Sequence, residues 1–437
     1  MKWSICTAVL CAILASVGPA GAERPHEEAK LVKMVILARH GVRSPTQSAD
    51  TLAQWSRRDW PEWAVRPGEL TARGAELVKR LWQQEGESLR RAGLLPEASR
   101  PAGTSAAGPG EGKPQDEAHK GAIYVYADRE ERTQATAEAI ISGLDPEGGL
   151  MYARYPYHGP DPLFHPVEAG YCALDPAAVE RELSPRTVDE LERSLAGPLH
   201  DIAALLGPAS PDLCRKYDLP EDGTIADVPT RLTLAKENRT VHLEGGLGMG
   251  ASAAEIFLLE YAQWPRDAGW GQVDRARLET LLPVHSRVFD AVNRVPAVAS
   301  SRGSQLLLNI ANALAGQEAP ECVEKARLVI YVGHDTNIAA VSGLLDLHWH
   351  LPGYAPDEIP PGSALALSLW EKPDGEYDVR AQFFAQSLET LHDPNGRGEI
   401  VRQDLQVPWC TLDGPCPLTQ FELVVRGVMR PECVRGR

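Results

Sequence analysis

The stretch that decides the fold runs from Leu31 to Thr46, LVKMVILARHGVRSPT, in a chain of 437 residues. Its first part, Val32 to Ala38, is an apolar run bounded by a turn, and this pattern predicts a buried strand of a parallel sheet. Open α/β sheets bind their ligands just beyond the carboxyl ends of such strands. The side chains of Arg39, His40 and Arg43 therefore follow the strand where a ligand would bind.

The charged turn after this strand has the chemistry of an anion site. The guanidinium groups of Arg39 and Arg43 offer forked donors that fit a carboxylate or a phosphate. Gly41 is expected to let the backbone approach the ligand, and Pro45 to stiffen the exit of the turn. The alternative is a solvated basic turn, but the pattern R-H-G-x-R-x-P is rare by chance.

Composition and charge narrow the class of protein. With 43% hydrophobic and 24% charged residues the chain is typical of a soluble globular protein, and its length suffices for one large domain with an insertion or for two to three ordinary domains. The formal net charge of −16, without a basic run at either terminus, argues against nucleic-acid binding. On so acidic a body, a phosphate site must be a local positive pocket.

The first 22 residues have the pattern of a signal peptide. Lys2 provides a positive start, and the apolar segment from Cys6 to Val17 is too short for a stable membrane span. Ala20-Gly21-Ala22 offers a cleavage site of the A-x-A type before Glu23. A membrane anchor is the alternative, which the length disfavours. We therefore expect an exported protein, periplasmic or secreted, that has no membrane association after cleavage.

Two later segments repeat the arrangement of a strand followed by polar residues. The strand pattern AIYVYA at 122–127 precedes DREERT at 128–133, and RLVIYV at 327–332 precedes GHDTN at 333–337. A helical pattern follows each turn, and the N–H groups at a helix start favour an anion. Ordinary explanations exist: the arginines at 129 and 132 could pair with neighbouring glutamates, and Asp335 could be a simple helix cap.

Hydrophobic periodicity predicts the organisation of the remaining chain. Residues 150–295 lack strand runs spaced for a parallel sheet and show helical patterns instead. We therefore predict an α/β fold, a doubly wound, mainly parallel sheet flanked by helices, over residues 23–170 and 296–437. A mostly helical cap is inserted at 171–295. Segments 363–370 and 377–384 predict an antiparallel hairpin at a sheet edge, whereas 47–67 and 95–121 are predicted loops, the second of them mobile.

The motifs resemble those of a known family. R-H-G-x-R-x-P at 39–45 and G-H-D-T-N at 333–337, in this order, resemble the two signatures of the histidine acid phosphatases, a branch of the histidine phosphatase superfamily. D-x-x-E-R-T at 128–133 resembles the segment that carries the remote phosphate-binding arginine of this family. The segment 254–271 is similar to the bacterial phytase and glucose-1-phosphatase group.

This resemblance implies a hydrolase of phosphate monoesters that works through a phosphohistidine intermediate. It implies that His40 is the nucleophile and that Asp335 donates the proton to the leaving group. The phosphate would be bound by Arg39, Arg43, Arg132 and His334, and further candidates for substrate contact are Thr46, Glu255 and His285. We expect no metal and no cofactor, because guanidinium groups neutralise the phosphate, and we expect a monomer whose partner is a small-molecule phosphate ester.

The cysteines agree with export. Two of the eight fall in the signal peptide, and an even set of six remains, which predicts disulfides in an exported protein: Cys172, Cys214, Cys322, Cys410, Cys416 and Cys433. The family resemblance implies the pairs Cys410–Cys416 and Cys172–Cys433. Cys214 lacks the close partner that the family has in this region, so a pair with Cys322 would follow only by elimination.

The substrate stays open at this level. Bacterial phytases usually carry a lysine where this chain has Gln47, whereas glucose-1-phosphatases tend to lose the residues that correspond to Gly41 and Val42, which this chain keeps. The predicted function is an acid phosphatase whose substrates include phytate; the alternative is a sugar phosphatase of the glucose-1-phosphatase type. A non-catalytic periplasmic phosphate-binding protein and a phosphomutase of the same superfamily are less favoured.

Overall fold

The computed structural model describes residues 29–96, 121–235, 237, 239–408, 410 and 414–434. Ten strands are present in this part of the chain: β1 (Lys30–Arg39), β2 (Ile123–Ala127), β3 (Tyr152–Arg154), β4 (Arg231–Ala235), β5 (Thr240–Glu244), β6 (Leu328–Gly333), β7 (Ala364–Glu371), β8 (Tyr377–Gln386), β9 (Ile400–Leu405) and β10 (Cys416–Pro417). Eight of them form one sheet in the order β10-β8-β7-β1-β6-β2-β3, with β9 paired to β8.

Helices flank this sheet and fill the predicted cap. The α-helices of the described residues are α1 (Ala49–Trp55), α2 (Ala72–Arg91), α3 (Glu131–Leu144), α4 (Pro176–Glu182), α5 (Pro185–Leu206), α6 (Pro211–Tyr217), α7 (Gly246–Gln263), α8 (Ala268–Gly271), α9 (Arg275–Asn293), α10 (Pro296–Ala315), α11 (Glu321–Lys325), α12 (Asp335–Leu345), α13 (Leu388–His392) and α14 (Leu418–Val428). Short 3₁₀ turns lie at Ile225–Asp227 and Pro431–Cys433.

The sheet is parallel in the half that leads to the polar turns. Strands β1, β6, β2 and β3 pair in parallel, whereas β7 pairs with β1 in the antiparallel sense and continues into β8, β9 and β10. Strand β6 is buried along its whole length, as expected for a central strand with both faces covered. The predicted fold class is confirmed, and the sheet as a whole is mixed.

Helix α2 illustrates how the local sequence sets an element and its packing. The Thr71 hydroxyl accepts a hydrogen bond from the Gly74 N–H at 2.9 Å and caps the helix start. The predicted apolar positions of this helix, Leu77, Val78, Leu81 and Trp82 among them, are all buried. Helix α2 packs against α3, and together these helices cover one face of the parallel strands.

The segment predicted as a cap contains both helices and a hairpin. Helices α5, α7 and α9 pack on one another, and α7 is buried nearly all round, as its continuous apolar sequence requires. Strands β4 and β5 form a separate antiparallel pair that the sequence analysis did not predict. The division of the chain into an α/β domain and a cap remains a prediction, because packing alone does not define a boundary.

Other elements differ locally from the sequence-based expectations. The hairpin β7–β8 is present, but it is not at a sheet edge, because β7 lies between β1 and β8, and β8 also pairs with β9 and β10. Helix α1 interrupts the predicted loop of residues 47–67. The predicted mobile loop at 95–121 falls almost wholly, and the signal peptide wholly, outside the described residues. No helix among the described residues has both the length and the apolar character to cross a membrane.

Among the described residues two disulfides are formed, Cys172–Cys433 and Cys410–Cys416, as the family resemblance implied. The pair considered by elimination is not formed: Cys214 is a buried thiol and Cys322 an exposed one. The first disulfide fastens the end of the chain to the start of the cap segment.

Candidate active site

The polar turns converge because three parallel strands end at the same level. Ala38 of β1 and Ala127 of β2 both pair with Val332 of β6. The residues that follow these strands therefore leave the sheet side by side at one edge. This places the turn at 39–45, the turn at 128–132 and the start of α12 around one pocket, as expected for a ligand site in an open α/β sheet.

His40 is buried in this pocket with only 2% of its surface exposed. Its Nδ1 lies 2.9 Å from the carbonyl oxygen of Gly41, an acceptor, so Nδ1 carries the proton and donates it. Burial, together with the charges of Arg39 and Arg43, holds the pKa of His40 well below its usual value. The ring is therefore neutral, and its Nε2 has a free lone pair.

Packing against helix α2 is one reason for a glycine at position 41; its expected role in letting the backbone approach a ligand stays a prediction. A Cβ atom at this position would lie 2.8 Å from Cγ2 of Val78 and 3.0 Å from the carbonyl oxygen of Gly74, both on α2. The Gly41 N–H donates to Oγ1 of Thr136 on α3 at 3.0 Å. Two helices thus hold the backbone beside His40, and any side chain at residue 41 would push α2 away.

Two arginines of the first turn share one carboxylate. Arg39, which is fully buried, places Nη2 2.6 Å from Oε1 of Glu255, and Nη2 of Arg43 lies 2.9 Å from the same oxygen. Burial raises the pKa of Glu255, but Arg43 and Arg39 outweigh burial and lower it, so the group is ionised. Glu255 thus holds the two guanidinium groups together, and its negative charge opposes the binding of an anion beside them.

Asp335 lies on the other side of Arg39. Its Oδ2 is 2.7 Å from Nη2 of Arg39, and its Oδ1 accepts the N–H of Thr336 at 2.8 Å. Burial raises the pKa of Asp335, and the Arg39 guanidinium outweighs burial and lowers it. The residue is not the helix cap, because His334 holds that position and Asp335 is the first residue of α12.

Arg132 and His334 complete the cationic wall. Nη2 of Arg132 lies 3.3 Å from Nδ1 of His334, and Nε2 of His334 lies 2.8 Å from Oδ2 of Asp128. Since the carboxylate can only accept, Nε2 of His334 donates, and its Nδ1 is left facing Arg132. The rings of His334 and His40 are 5.7 Å apart, so both belong to one pocket.

The sequence analysis missed Asp128 and His165. Asp128 has 1% of its surface exposed, and its Oδ2 accepts a second hydrogen bond from Nε2 of His165 at 3.0 Å. Burial raises the pKa of Asp128, and the hydrogen bonds from His165 and His334 outweigh burial and lower it. A signal for Asp128 was available, because it opens the D-x-x-E-R-T segment, whereas no sequence pattern singled out His165.

The three further candidates for substrate contact lie in different settings. Thr46 is exposed on the turn after Pro45, and Glu255 is in the pocket on the two arginines. His285 is buried, and its Nδ1 is bound to Oε1 of Glu358 at 2.9 Å. Burial lowers the pKa of His285, but Glu358 outweighs it and raises that pKa to about 9. His285 is therefore a cation held by Glu358, close enough to add to the field at Glu255.

Comparisons with known proteins identify the family of the chain. The sequence profile of the histidine phosphatase superfamily (branch 2) matches residues 30–190 and 261–383. The chain is 31% identical to phytase AppA of Escherichia coli (strain K12) over 93% of this chain and 94% of that protein. It is 25% identical to a glucose-1-phosphatase of Salmonella typhimurium over 97% and 98% of the two chains.

Two solved structures with a similar fold are phytases. A Hafnia alvei phytase in complex with tartrate superimposes with a TM-score of 0.80 at 32% identity, covering 93% of this chain and 99% of that one. The phytase from Citrobacter braakii gives a TM-score of 0.81 at 29% identity, covering 94% and 100% of the two chains.

Proposed function

The chain belongs to the histidine phosphatase superfamily, branch 2, and is a phosphoric monoester hydrolase; we propose that it is an exported acid phosphatase whose substrates include phytate, myo-inositol hexakisphosphate. The observation that carries this proposal is the setting of His40. A neutral imidazole with its lone pair on Nε2 lies among side chains that suit a phosphate: Arg39, Arg43, Arg132 and His334. Asp335 is held at the same pocket by Arg39.

The proposed reaction begins with attack by Nε2 of His40 on the phosphorus atom. A P–N bond forms as the bond from phosphorus to the ester oxygen breaks. The arginines neutralise the non-bridging oxygens, which carry the charge of the transition state, and His334 adds a donor when acid pH protonates its Nδ1. Asp335 must be protonated for this step, which acid pH and the negative charge of the bound phosphate favour, and it gives its proton to the departing alkoxide. The Asp335 carboxylate then takes a proton from the water that attacks the phosphohistidine, which releases phosphate and free His40. A binding protein would need the cations but not the pair of His40 and Asp335.

The choice of phytate as a substrate is the more specific part of the proposal. The similarity to phytases supports it over nearly the whole chain. Two features near the pocket favour the second candidate, a glucose-1-phosphatase type of specificity. Gln47 brings no charge to the turn, and Glu130, whose side chain is 43% exposed, pairs with Arg132. Both features reduce the positive potential offered to a substrate with six phosphates.

A substrate panel tests the proposal. We would measure kcat/KM at acid pH for phytate, glucose 1-phosphate, glycerol phosphates and p-nitrophenyl phosphate, with His40→Ala as the blank. Release of phosphate from phytate at a rate comparable to the simple esters supports the proposal. Preference for glucose 1-phosphate with little turnover of phytate favours the second candidate. Tight phosphate binding without turnover of any ester would instead indicate a non-catalytic binding protein.

Export and a monomeric state are proposed alongside the activity. The two disulfides fit an oxidising compartment, and the amino-terminal pattern fits a cleaved signal. Fractionation of cells that express the full chain, with amino-terminal sequencing of the product, should give a protein that begins at Glu23 in the periplasm or medium. Light scattering on the purified enzyme should give the mass of one chain.

A further inference from the structure

A group of metal-ligating side chains lies beside the phosphate pocket and is only partly used by the proposed reaction. Each of its members offers one ligand atom, and all four atoms lie within 4.8 Å of one another: Asp128, Glu130, His165 and His334. We call these residues the Asp128 cluster. Three elements contribute to it, namely the turn after β2, the segment between β3 and α4, and the residue before α12.

The ligand types and distances suit a small transition-metal ion. Zinc takes nitrogen and carboxylate ligands in tetrahedral sites at about 2.0–2.2 Å, so neighbouring ligand atoms stand about 3.3 Å apart. Oδ2 of Asp128 lies 3.0 Å from Nε2 of His165 and 2.8 Å from Nε2 of His334. If these separations increase by a few tenths of an ångström, an ion fits between the three atoms. The side chain of Glu130 can supply a fourth ligand atom.

We propose that the Asp128 cluster is a transition-metal site that binds one Zn²⁺ ion. Two neutral imidazoles and two carboxylates balance the charge of the ion within the cluster. The Nε2–H groups of both imidazoles now donate to Oδ2 of Asp128. Metal binding displaces these protons from Nε2, so each neutral imidazole carries its proton on Nδ1 instead. The second oxygen of Asp128, Oδ1, is buried and has no hydrogen-bond partner, which leaves the carboxylate with acceptor capacity that the protein itself does not use.

The cluster is accessible from one side. The side chains of Asp128 and His334 are 1% and 5% exposed, whereas those of His165 and Glu130 are 22% and 43% exposed. An ion can therefore enter past Glu130 and His165 and reach the two buried ligands. A site with two ligands fixed by burial and two at the surface combines defined geometry with a path for exchange.

Occupation of the site should also change phosphate binding, a consequence that rests on the proposed role of Arg132 and His334. Glu130 now forms an ion pair with Arg132, and coordination would draw this carboxylate away. Nδ1 of His334, which now faces Arg132, would become a donor toward the pocket. A freed guanidinium and a new N–H both favour a bound anion. We expect the inhibition constant of inorganic phosphate to fall about tenfold in the zinc-loaded enzyme, a common size for such coupling.

Direct metal binding tests the site without reference to activity. The untagged mature chain, stripped with a chelator, would be dialysed at pH 7 against zinc chloride and its zinc content measured. We expect one ion per chain, with a dissociation constant that rises by about tenfold or more in His165→Asn and also in Glu130→Gln. Thermal unfolding of the stripped proteins checks that both variants fold. With Co²⁺ in place of zinc, visible absorption of four-coordinate intensity should appear and should change in His165→Asn.

A second histidine provides the matched control. His348 lies between Asp357 and Asp346, at 2.6 Å and 3.3 Å, and its side chain is 62% exposed. His348→Asn should leave zinc binding unchanged. Loss of binding in this control, equal binding in His165→Asn and the native chain, or no saturable binding below millimolar zinc would each overturn the proposed site. Zinc binding without a lower phosphate inhibition constant would overturn the coupling to the pocket.

Discussion

Nδ1 of His40 lies 2.9 Å from the carbonyl oxygen of Gly41, and this contact fixes which nitrogen of the ring can react. A carbonyl oxygen cannot donate, so the proton of the neutral ring is on Nδ1 and the lone pair is on Nε2. The backbone that supplies the acceptor is itself fixed, because Gly41 donates to Thr136 and packs against α2. The orientation of the proposed nucleophile thus follows from backbone packing.

Replacement of the proposed nucleophile should abolish turnover. His40→Ala removes the imidazole that is proposed to form the P–N bond, so we expect kcat for p-nitrophenyl phosphate to fall by about 10⁴-fold or more. The arginines remain, so the variant should still bind vanadate or phosphate. Activity assays and binding titrations on the same preparation measure both properties.

The covalent intermediate gives an independent check on the same residue. A rapid quench of the native enzyme with substrate should trap a phosphate on the peptide that contains His40, stable to alkali and labile to acid. The label should be absent from His40→Ala, and a label on any other residue would contradict the assignment.

Removal of the proposed proton donor should depend on the leaving group. Asp335→Asn keeps the size of the side chain but cannot transfer a proton. We expect kcat for glycerol phosphate, whose alkoxide is a poor leaving group, to fall by about 10²–10⁴-fold. The kcat for p-nitrophenyl phosphate, whose nitrophenolate leaves without protonation, should fall much less. Equal losses for both substrates would mean that Asp335 only positions Arg39, from which it lies 2.7 Å.

The sequence predicted the parts of the site that lie directly after strands. Apolar runs marked β1, β2 and β6, and parallel neighbours must end at one edge, so the turns at 39–45 and 333–337 could be placed together before the structure was known. The disulfide of Cys172 with Cys433 was available from the family resemblance alone. The strands and their turns needed only local pattern and the geometry of a parallel sheet, whereas the disulfide and the roles of the site residues needed the resemblance.

Contacts that depend on tertiary packing could not be read from the sequence. His165 lies in an irregular segment, and only the folded chain brings it to 3.0 Å from Asp128. The position of Glu255 on Arg39 and Arg43 depends on how α7 packs over the pocket. The hairpin of β4 and β5 was missed because short half-buried strands in a helical segment lack a strong period.

Loss of the charge on Glu255 should strengthen anion binding. Its carboxylate lies 2.6 Å from Arg39 and 2.9 Å from Arg43, where it repels an incoming phosphate. Glu255→Gln keeps an oxygen that can accept from both guanidinium groups, so we expect the inhibition constant of vanadate to fall about tenfold. Glu244→Gln, at an exposed position of the cap hairpin, is the control. A weaker vanadate complex in Glu255→Gln would instead make alignment of the arginines its main role.

Removal of metal ions should leave catalysis intact. The proposed reaction assigns the neutralisation of the phosphate oxygens to guanidinium groups and His334, so dialysis against a chelator should change kcat by less than about twofold. The same treatment should relieve any extra product inhibition caused by zinc at the Asp128 cluster. A loss of kcat that added magnesium or zinc restores would contradict the proposed division between catalysis and metal binding.

Glu260 should make the protein less stable as the pH rises. This side chain of α7 is 2% exposed, and burial raises its pKa to about 7 against an unfolded value of 4.5. The folded state therefore keeps a proton that the unfolded chain loses, so the free energy of unfolding falls as the pH rises from about 4.5 through 7. The shift corresponds to about 3 kcal/mol between these limits. Glu260→Gln removes the titration, and urea unfolding with the disulfides intact should show it more stable than the native chain at pH 8 by up to this amount.

The same pair of proteins should differ little at pH 4, because the native glutamate is then protonated in both states. The Gly269 N–H, 2.8 Å from the Glu260 carboxylate, stabilises the charged form and limits the effect, so a gain well under 3 kcal/mol at pH 8 still carries the predicted sign. Glu244→Gln, a replacement at an exposed position of the predicted cap, is the control. Its free energy of unfolding should differ from that of the native chain by the same amount at pH 4 and at pH 8. A Glu260→Gln variant less stable than the native chain at pH 8 would show that the ionised carboxylate, bound to Gly269, stabilises the cap.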